Sequence, residues 1–374
     1  MNDYVPRGVL DQAFRRLRRS ELRDRLHALR ALAAVRGVQY LDDSGRARTI
    51  AISLKPWVLT SRQLLYFHRV IQLLSDALMR LPVLYAQRPS VRQVIRFDAT
   101  RESWLALAHH RRSRPLAVIG RLDSTASYDH AQWRTSFRML EPNAVGVGGV
   151  HYAPAGCGIA LDAIGDVLAR ALPGRVISPT PDPRRLLIEE LHSVARRLGR
   201  ALRAVALIEN REFTTGTDEF GQLARYLAGQ GLKALVVDPR ELILRRGGVS
   251  VGNTAIDLIY RDCELNEFVE MEARGRRLTA LRQAVGEGRL VSGLQWEFDQ
   301  KSAWEIFTDA RYAGAFTPAQ REFFRRHLLW TRLVREARVS DPEGRMVDLP
   351  QFIRRHRPRL VLKPNTLFGG VGVI

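Results

Sequence analysis

FRMLEPNAVGVGG, residues 137–149, carries Glu141 and Asn143 out of an apolar run and into a glycine-rich turn. Residues two apart on an extended chain point to one face, so a carboxylate and a side-chain amide oxygen project together. Two hard oxygen donors suit Mg²⁺, which takes few protein ligands and fills its other positions with phosphate oxygens and water. The glycines that follow let the backbone turn sharply and approach a ligand closely. An E-x-N triplet alone is commonly a solvated strand end, so its meaning depends on what else the chain supplies.

Two further stretches bear on it. Upstream, LAVIGRLDS (residues 116–124) reads as a buried strand, Leu116–Leu122, with Arg121 and Asp123 sharing one face at its end. Downstream, RLVLKPNTLFGGVGVI (residues 359–374) reads as a strand, Arg359–Lys363, and then a loop with Gly369, Gly370 and Gly372. Such a loop exposes backbone N–H groups that cradle phosphate oxygens, and a lysine at its root adds a point charge. The order is not that of a Walker P-loop, because Lys363 precedes the glycines and no Gly-Lys-Ser/Thr follows. A plain β-turn would use the same glycines.

A chain of 374 residues with 45% hydrophobic content is long enough for two or three packed domains. No stretch approaches the roughly 20 apolar residues of a membrane span. The N-terminus has no apolar signal-peptide core. Two cysteines, Cys157 and Cys263, argue against a disulfide framework or a cysteine metal site, and a cytoplasmic location is expected. The net charge of +20 invites a nucleic-acid reading. The arginines are spread over the whole chain, however, with little aromatic interleaving for stacking on bases. Nucleotide phosphates and anionic substrates use positive charge equally well.

Periodicity organises the rest. A helix is expected over residues 8–36. A strand follows at Arg48–Leu54, then a helix opened by a Thr60/Gln63 capping box with Leu64, Phe67, Ile71, Leu74 and Leu78 buried. Pro82 and Pro89 mark a loop, and residues 91–110 read as mainly helical. The strand Ser136–Glu141 and the helices Ala160–Leu172 and Leu186–Arg200 come next. Residues 203–238 alternate apolar strand, helix and apolar strand, the pattern of a βαβ unit with a parallel sheet. A hairpin at Gly247-Gly248 leads to a further strand ending in Tyr260-Arg261-Asp262. Strands that deliver polar residues at their carboxyl ends commonly line a ligand crevice. From Glu270 to about Leu333 the chain reads as helical and charged, followed by a short helix at Leu349–His356. His151, after the glycines, reads as a polar loop residue, with a substrate contact as the alternative; His109 and His110 sit in a basic run and need no metal, and no Ser/His/Asp nucleophile arrangement is present.

The ordered set resembles the circularly permuted ATP-grasp ligases, a group that includes eukaryotic-type glutathione synthetase and bacterial circularly permuted ATP-grasp proteins. It consists of Arg121-x-Asp123, Glu141-x-Asn143 with Gly148-Gly149, the βαβ unit ending in Ile259-Tyr260-Arg261, Lys301, and Lys363-Pro364 with its glycine loop. The likeness covers about residues 115–374. It implies an α/β, circularly permuted ATP-grasp-like fold in four parts. These are a helical N-terminal region (1–110), a core sheet with the metal motif (111–200), a βαβ substrate domain (201–268), and a helical segment with the start of the nucleotide domain (269–374). It implies Mg²⁺ on Glu141 and Asn143, and ATP phosphates on Lys301 and Lys363. It further implies Gly369, Gly370 and Gly372 in a flap, with Arg121, Asp123 and Arg261 beside the substrate. The implied reaction is phosphorylation of a carboxylate by ATP, then attack of an amine to form an amide. The expected partners are therefore small-molecule or peptide acids and amines, with no membrane and with a homodimer as an open oligomeric state.

Two departures accompany the likeness. Glutathione synthetase has a metal-binding Glu inside the Lys-Pro glycine loop, where this chain has Asn365-Thr366-Leu367-Phe368. The family pattern also continues past the flap into an adenine-contacting hinge, whereas this sequence stops at Ile374. The expectation is thus a partial chain with weak ATP binding and no turnover. A basic nucleic-acid-binding protein and a non-catalytic scaffold of the same fold remain the alternatives.

Overall fold

The computed structural model describes residues 3–42, 44–109, 119–212, 216–245, 248–366 and 372–374. At its centre is a parallel sheet of four strands in the order Leu290–Val291, Leu258–Arg261, Ala204–Ile208, Lys233–Val237. Every residue of Ala204–Ile208 is buried, as a parallel strand covered on both faces requires. Its alternation divides two cores. Val205 and Leu207 pack with Leu187, Leu191, Phe220 and Leu223 from the helices Pro183–Arg197 and Glu219–Gly229. Ala204, Ala206 and Ile208 face the larger core with Phe268, Leu281 and Trp304. That larger core also takes Leu74, Trp104, Phe137 and Phe324, so it draws on every quarter of the chain. A third cluster joins Leu29 and Ala33 of the helix Arg19–Val35 to Ile159 and Ile164 of the helix Tyr152–Ala171.

The βαβ reading and the helix Leu349–His356 match the structure closely, and the strands on either side of the expected Gly247-Gly248 turn pair antiparallel, Gly247 itself lying outside the described residues. Thr60 caps Ser61–Leu78 as expected, its hydroxyl accepting from the Gln63 N–H at 3.2 Å. The buried face of that helix is turned, with Val70, Leu74, Ala77 and Leu78 inside and Ile71 exposed.

Other expectations are corrected. The single helix over 8–36 is two, Arg7–Arg15 and Arg19–Val35, because Glu21 accepts the Arg18 N–H at 2.9 Å and starts a new helix. Pro82 and Pro89 open helical turns, Leu81–Gln87 and Pro89–Arg92, where proline's missing N–H costs nothing. The strand expected at Arg48–Leu54 is Ala47–Thr49, paired with Gln39–Leu41. The helix expected at Ala160–Leu172 begins at Tyr152. Within the expected helical stretch after Glu270 lie the fourth sheet strand, Leu290–Val291, and a hairpin, Arg338–Ser340 with Met346–Asp348. Lys363 does not end a strand. Its segment is extended, and neighbouring Leu362 exchanges two backbone hydrogen bonds with Ile374, at 2.8 and 2.9 Å.

The strand expected at Ser136–Glu141 runs Arg138–Asn143, and its partner runs Arg121–Thr125. Residues 116–118 of the expected upstream strand lie outside the described residues. One side of Arg138–Asn143 pairs antiparallel with Arg121–Thr125. The other is pinned by distant segments. The Phe137 carbonyl meets His327 Nδ1 at 3.1 Å, the Leu140 carbonyl accepts from Trp304 Nε1 at 3.0 Å, and the Ala144 N–H donates to Asp299 Oδ2 at 2.6 Å. The polar atoms just before and after the strand are thereby satisfied, and its orientation is fixed.

Candidate functional site

Arg121 stands opposite Asn143, and Asp123 opposite Glu141, in the antiparallel pair. Facing residues lie on the same side of a sheet, as do residues two apart. All four side chains therefore share one face. The register shifts between Asp123 and Ser124, just beyond this group. Arg121 donates from Nε to Asp123 Oδ1 at 2.7 Å and from Nη1 to the Gly148 carbonyl at 3.0 Å. It thus ties the upstream acid to the glycine turn.

Glu141 gathers the two lysines named from sequence. Lys301 Nζ lies 3.4 Å and Lys363 Nζ 3.8 Å from Glu141 Oε2. That oxygen is buried and has no hydrogen-bond partner, and neither has Asn143 Nδ2. Asn365 links the two lysine segments. Its Oδ1 accepts from the Ser302 N–H at 2.8 Å, its Nδ2 donates to Gln300 Oε1 at 2.8 Å, and its carbonyl accepts from the Lys301 N–H at 3.4 Å. Asn365, in the segment where the resemblance expects a carboxylate, is thus a clamp. Gly372 has φ +69°, and a Cβ there would come within 2.8 Å of Pro364 Cγ, so only glycine fits. Gly369 and Gly370 lie outside the described residues.

Among the described residues, no group of three or more His, Cys, Asp or Glu side chains could hold a metal ion. A Mg²⁺ ion held by Glu141 and Asn143 would have two protein ligands and take the rest from phosphates and water, as this ion commonly does. The orphaned Glu141 Oε2 fits a cation, while the orphaned Asn143 Nδ2, a donor, and the two ammonium groups fit phosphate oxygens.

Beside this cluster lies the carboxyl edge of the parallel sheet, where Glu209, Asp238, Asp262 and Ser292 follow the four strands. Gly146, at φ +60°, backs onto the Asp262 carbonyl, leaving only 3.0 Å for a Cβ. Burial, with the nearby Glu219 charge, pushes the Asp262 carboxyl up to about 6. Burial pushes Asp299 up to about 7, and burial with Glu297 and Asp299 close by pushes Glu264 up to about 8. Glu219 is buried, and burial raises its carboxyl as well. It accepts the Gly149 N–H at 2.9 Å and the His151 N–H at 2.6 Å. It therefore fastens the glycine turn to the βαβ unit.

Arg261 is placed differently from the expectation. Its side chain is 0% exposed. It donates to the carbonyls of Ser292 at 2.6 Å and Cys263 at 3.1 Å, and it pairs with Glu297. It braces the ends of two strands, and direct contact with a substrate would require these bonds to break. His151 is buried against the Arg36 carbonyl at 3.2 Å and is a structural residue. Sequence reasoning missed the positioning by Glu219, Asp299 and Asn365. Asp299 had a weak signal in its place two residues before Lys301.

Among the described residues, no helix is long and apolar enough to cross a membrane. No protein-family model and no curated protein matches the sequence. Among solved structures, the chain is similar to a glutathione synthetase-like effector from Globodera pallida in its apo form. The match has a TM-score of 0.61 at 11% identity, over 87% of this chain and 72% of that one. At that identity the likeness is one of fold, a mixed α/β architecture with a glutathione synthetase-like neighbour.

Proposed function

We propose that this chain carries the site of an ATP-dependent carboxylate–amine ligase. The observation that supports it most is Glu141 Oε2, buried, without a hydrogen bond, and flanked by Lys301 and Lys363 from distant segments. In this reading Glu141 and Asn143 hold Mg²⁺, and the two lysines hold the nucleotide phosphates. Magnesium–ATP supplies the phosphoryl group that activates a carboxylate. The chain's own contribution is electrostatic, with fixed cations placed where negative charge moves. Arg121, oriented by Asp123 and Gly148, would hold the acid substrate on the same sheet face. The acids that follow the sheet strands, Glu209, Asp238 and Asp262, would suit an amine, which would displace phosphate from the activated acid and leave an amide.

Thermal unfolding with and without Mg²⁺ and ATP tests the reading. Wild type should be stabilised by the pair, and Glu141→Gln and Lys363→Ala should lose that stabilisation. No nucleotide effect on the folded wild-type chain would overturn it. The lack of a carboxylate in Asn365-Thr366-Leu367-Phe368 favours a second reading, a non-catalytic relative that keeps the fold. ADP formation with any acid and amine pair would exclude it.

A further inference from the structure

We infer that Lys301 and Lys363 hold the place of the metal on Glu141 until nucleotide phosphates draw them away, so that divalent cation and nucleotide bind as a coupled pair. The inference rests on the ligase reading of this site. Both ammonium groups approach the same carboxylate oxygen, at 3.4 and 3.8 Å. That oxygen is also the one left without a hydrogen bond. A Mg²⁺ ion bonds to a carboxylate oxygen at about 2 Å. Entering here alone, it would put three cations around one carboxylate, and their repulsion is poorly screened. The Glu141 side chain is 22% exposed and that of Lys301 is 23% exposed.

The two segments that carry the lysines are also tied to each other. Asn365 bonds to Gln300 and Ser302 on either side of Lys301, and it sits two residues after Lys363. A polyphosphate resolves the conflict. Its oxygens accept both ammonium groups and offer further ligands to the metal, so the lysines change partner from Glu141 to phosphate and the carboxylate becomes available. Linkage makes the effect reciprocal. Nucleotide strengthens metal binding by the same factor that metal strengthens nucleotide binding. Removing one ammonium should therefore have opposite effects on the two ligands, improving binding of the bare cation and weakening binding of the nucleotide.

Mn²⁺ binding to the full chain, followed by electron paramagnetic resonance with and without ADP, tests this. Wild type should bind Mn²⁺ weakly alone and about tenfold or more tightly with ADP, within the usual range of such couplings. K301M and, independently, K363M should bind Mn²⁺ alone several-fold more tightly than wild type, by the same linkage. Both should bind ADP more weakly, and E141Q should lose Mn²⁺ binding. If wild type binds ADP but neither lysine variant gains affinity for Mn²⁺ alone, the coupling is wrong and the ligase reading stands. If wild type binds no ADP at any Mn²⁺ concentration, the ligase reading falls and takes the coupling with it.

Discussion

Asp123 and Glu141 face each other directly across the antiparallel pair, two carboxylates at a position where like charges destabilise a sheet. Each has its own counter-charge. Arg121 bonds Asp123, while Lys301 and Lys363 flank Glu141. The opposition is tolerable only because cations from three separate segments converge on it.

Arg121→Ala should expose that conflict. It leaves Asp123 unpaired opposite Glu141 and frees the Gly148 carbonyl. We expect a loss of about 1 kcal/mol in urea unfolding. Adding Asp123→Asn should restore part of it. Strict additivity of the two substitutions would show that Arg121 and Asp123 do not interact.

The contribution of Asp299 and Glu264 to stability should fall as pH rises toward neutrality. Asp299 and Glu264 keep their protons in the native state to about 7 and about 8, whereas in the unfolded chain such groups release them near 4. Their native protonation is thus favourable to folding below about pH 4 and is progressively lost as pH rises through the native values. Asp299→Asn can still accept the Ala144 N–H. It should therefore stabilise the chain at pH 8, by about 1 kcal/mol or more, and bring no gain near pH 4. Equal effects at both pH values would refute this.

Asn365→Ala should separate affinity from stability. The amide holds Gln300 and Ser302 at 2.8 Å but lies at the edge of the fold. We expect a stability cost of about 1–2 kcal/mol, faster amide exchange around Ser302, and nucleotide affinity lowered about tenfold because the two lysines lose their shared anchor. Unchanged exchange at Ser302 would show that the clamp is redundant.

His327 should make the fold sensitive to acid. Its Nδ1 faces the Phe137 carbonyl at 3.1 Å and so must carry the proton, leaving Nε2 to accept from the Tyr66 hydroxyl at 2.6 Å. Burial lowers its pKa. Neutral His327 therefore favours the native state above the ordinary histidine value, and that benefit is lost as pH falls through the depressed native value. Tyr66→Phe should cost about 1 kcal/mol at pH 8. His327→Gln should flatten the stability profile between pH 7 and 5. A profile identical to wild type would overturn this assignment.

The sequence made some of this legible and not the rest, for identifiable reasons. Ala204–Ile208 and Lys233–Val237 are uninterrupted apolar strands around a periodic helix, and local pattern alone identifies them. Leu290–Val291 has two residues and exists as a strand only because Leu258–Arg261 is beside it. The break at Arg18 was hidden because arginine is not an ordinary helix cap. The cluster of Glu141, Lys301 and Lys363 was readable through motif order. Glu219 and Asn365 were not, because their partners lie about 70 and 60 residues away and nothing in their neighbourhoods announces the contact. Arg261 stood at the expected strand end, but its depth was set by Glu297 and Ser292, which no local pattern reveals.

The bonds that pin Arg138–Asn143 also set when it can form. His327, Trp304 and Asp299 lie 190, 164 and 155 residues beyond their partners. Closing loops of that length is slow, and topologies dominated by distant contacts fold late. On the ribosome, the segment that presents Glu141 must wait, unanchored on one side, until the 155 residues from Ala144 to Asp299 have been synthesised. All four strands of the parallel sheet, through Leu290–Val291, are made before Asp299, so the sheet can organise before the pocket.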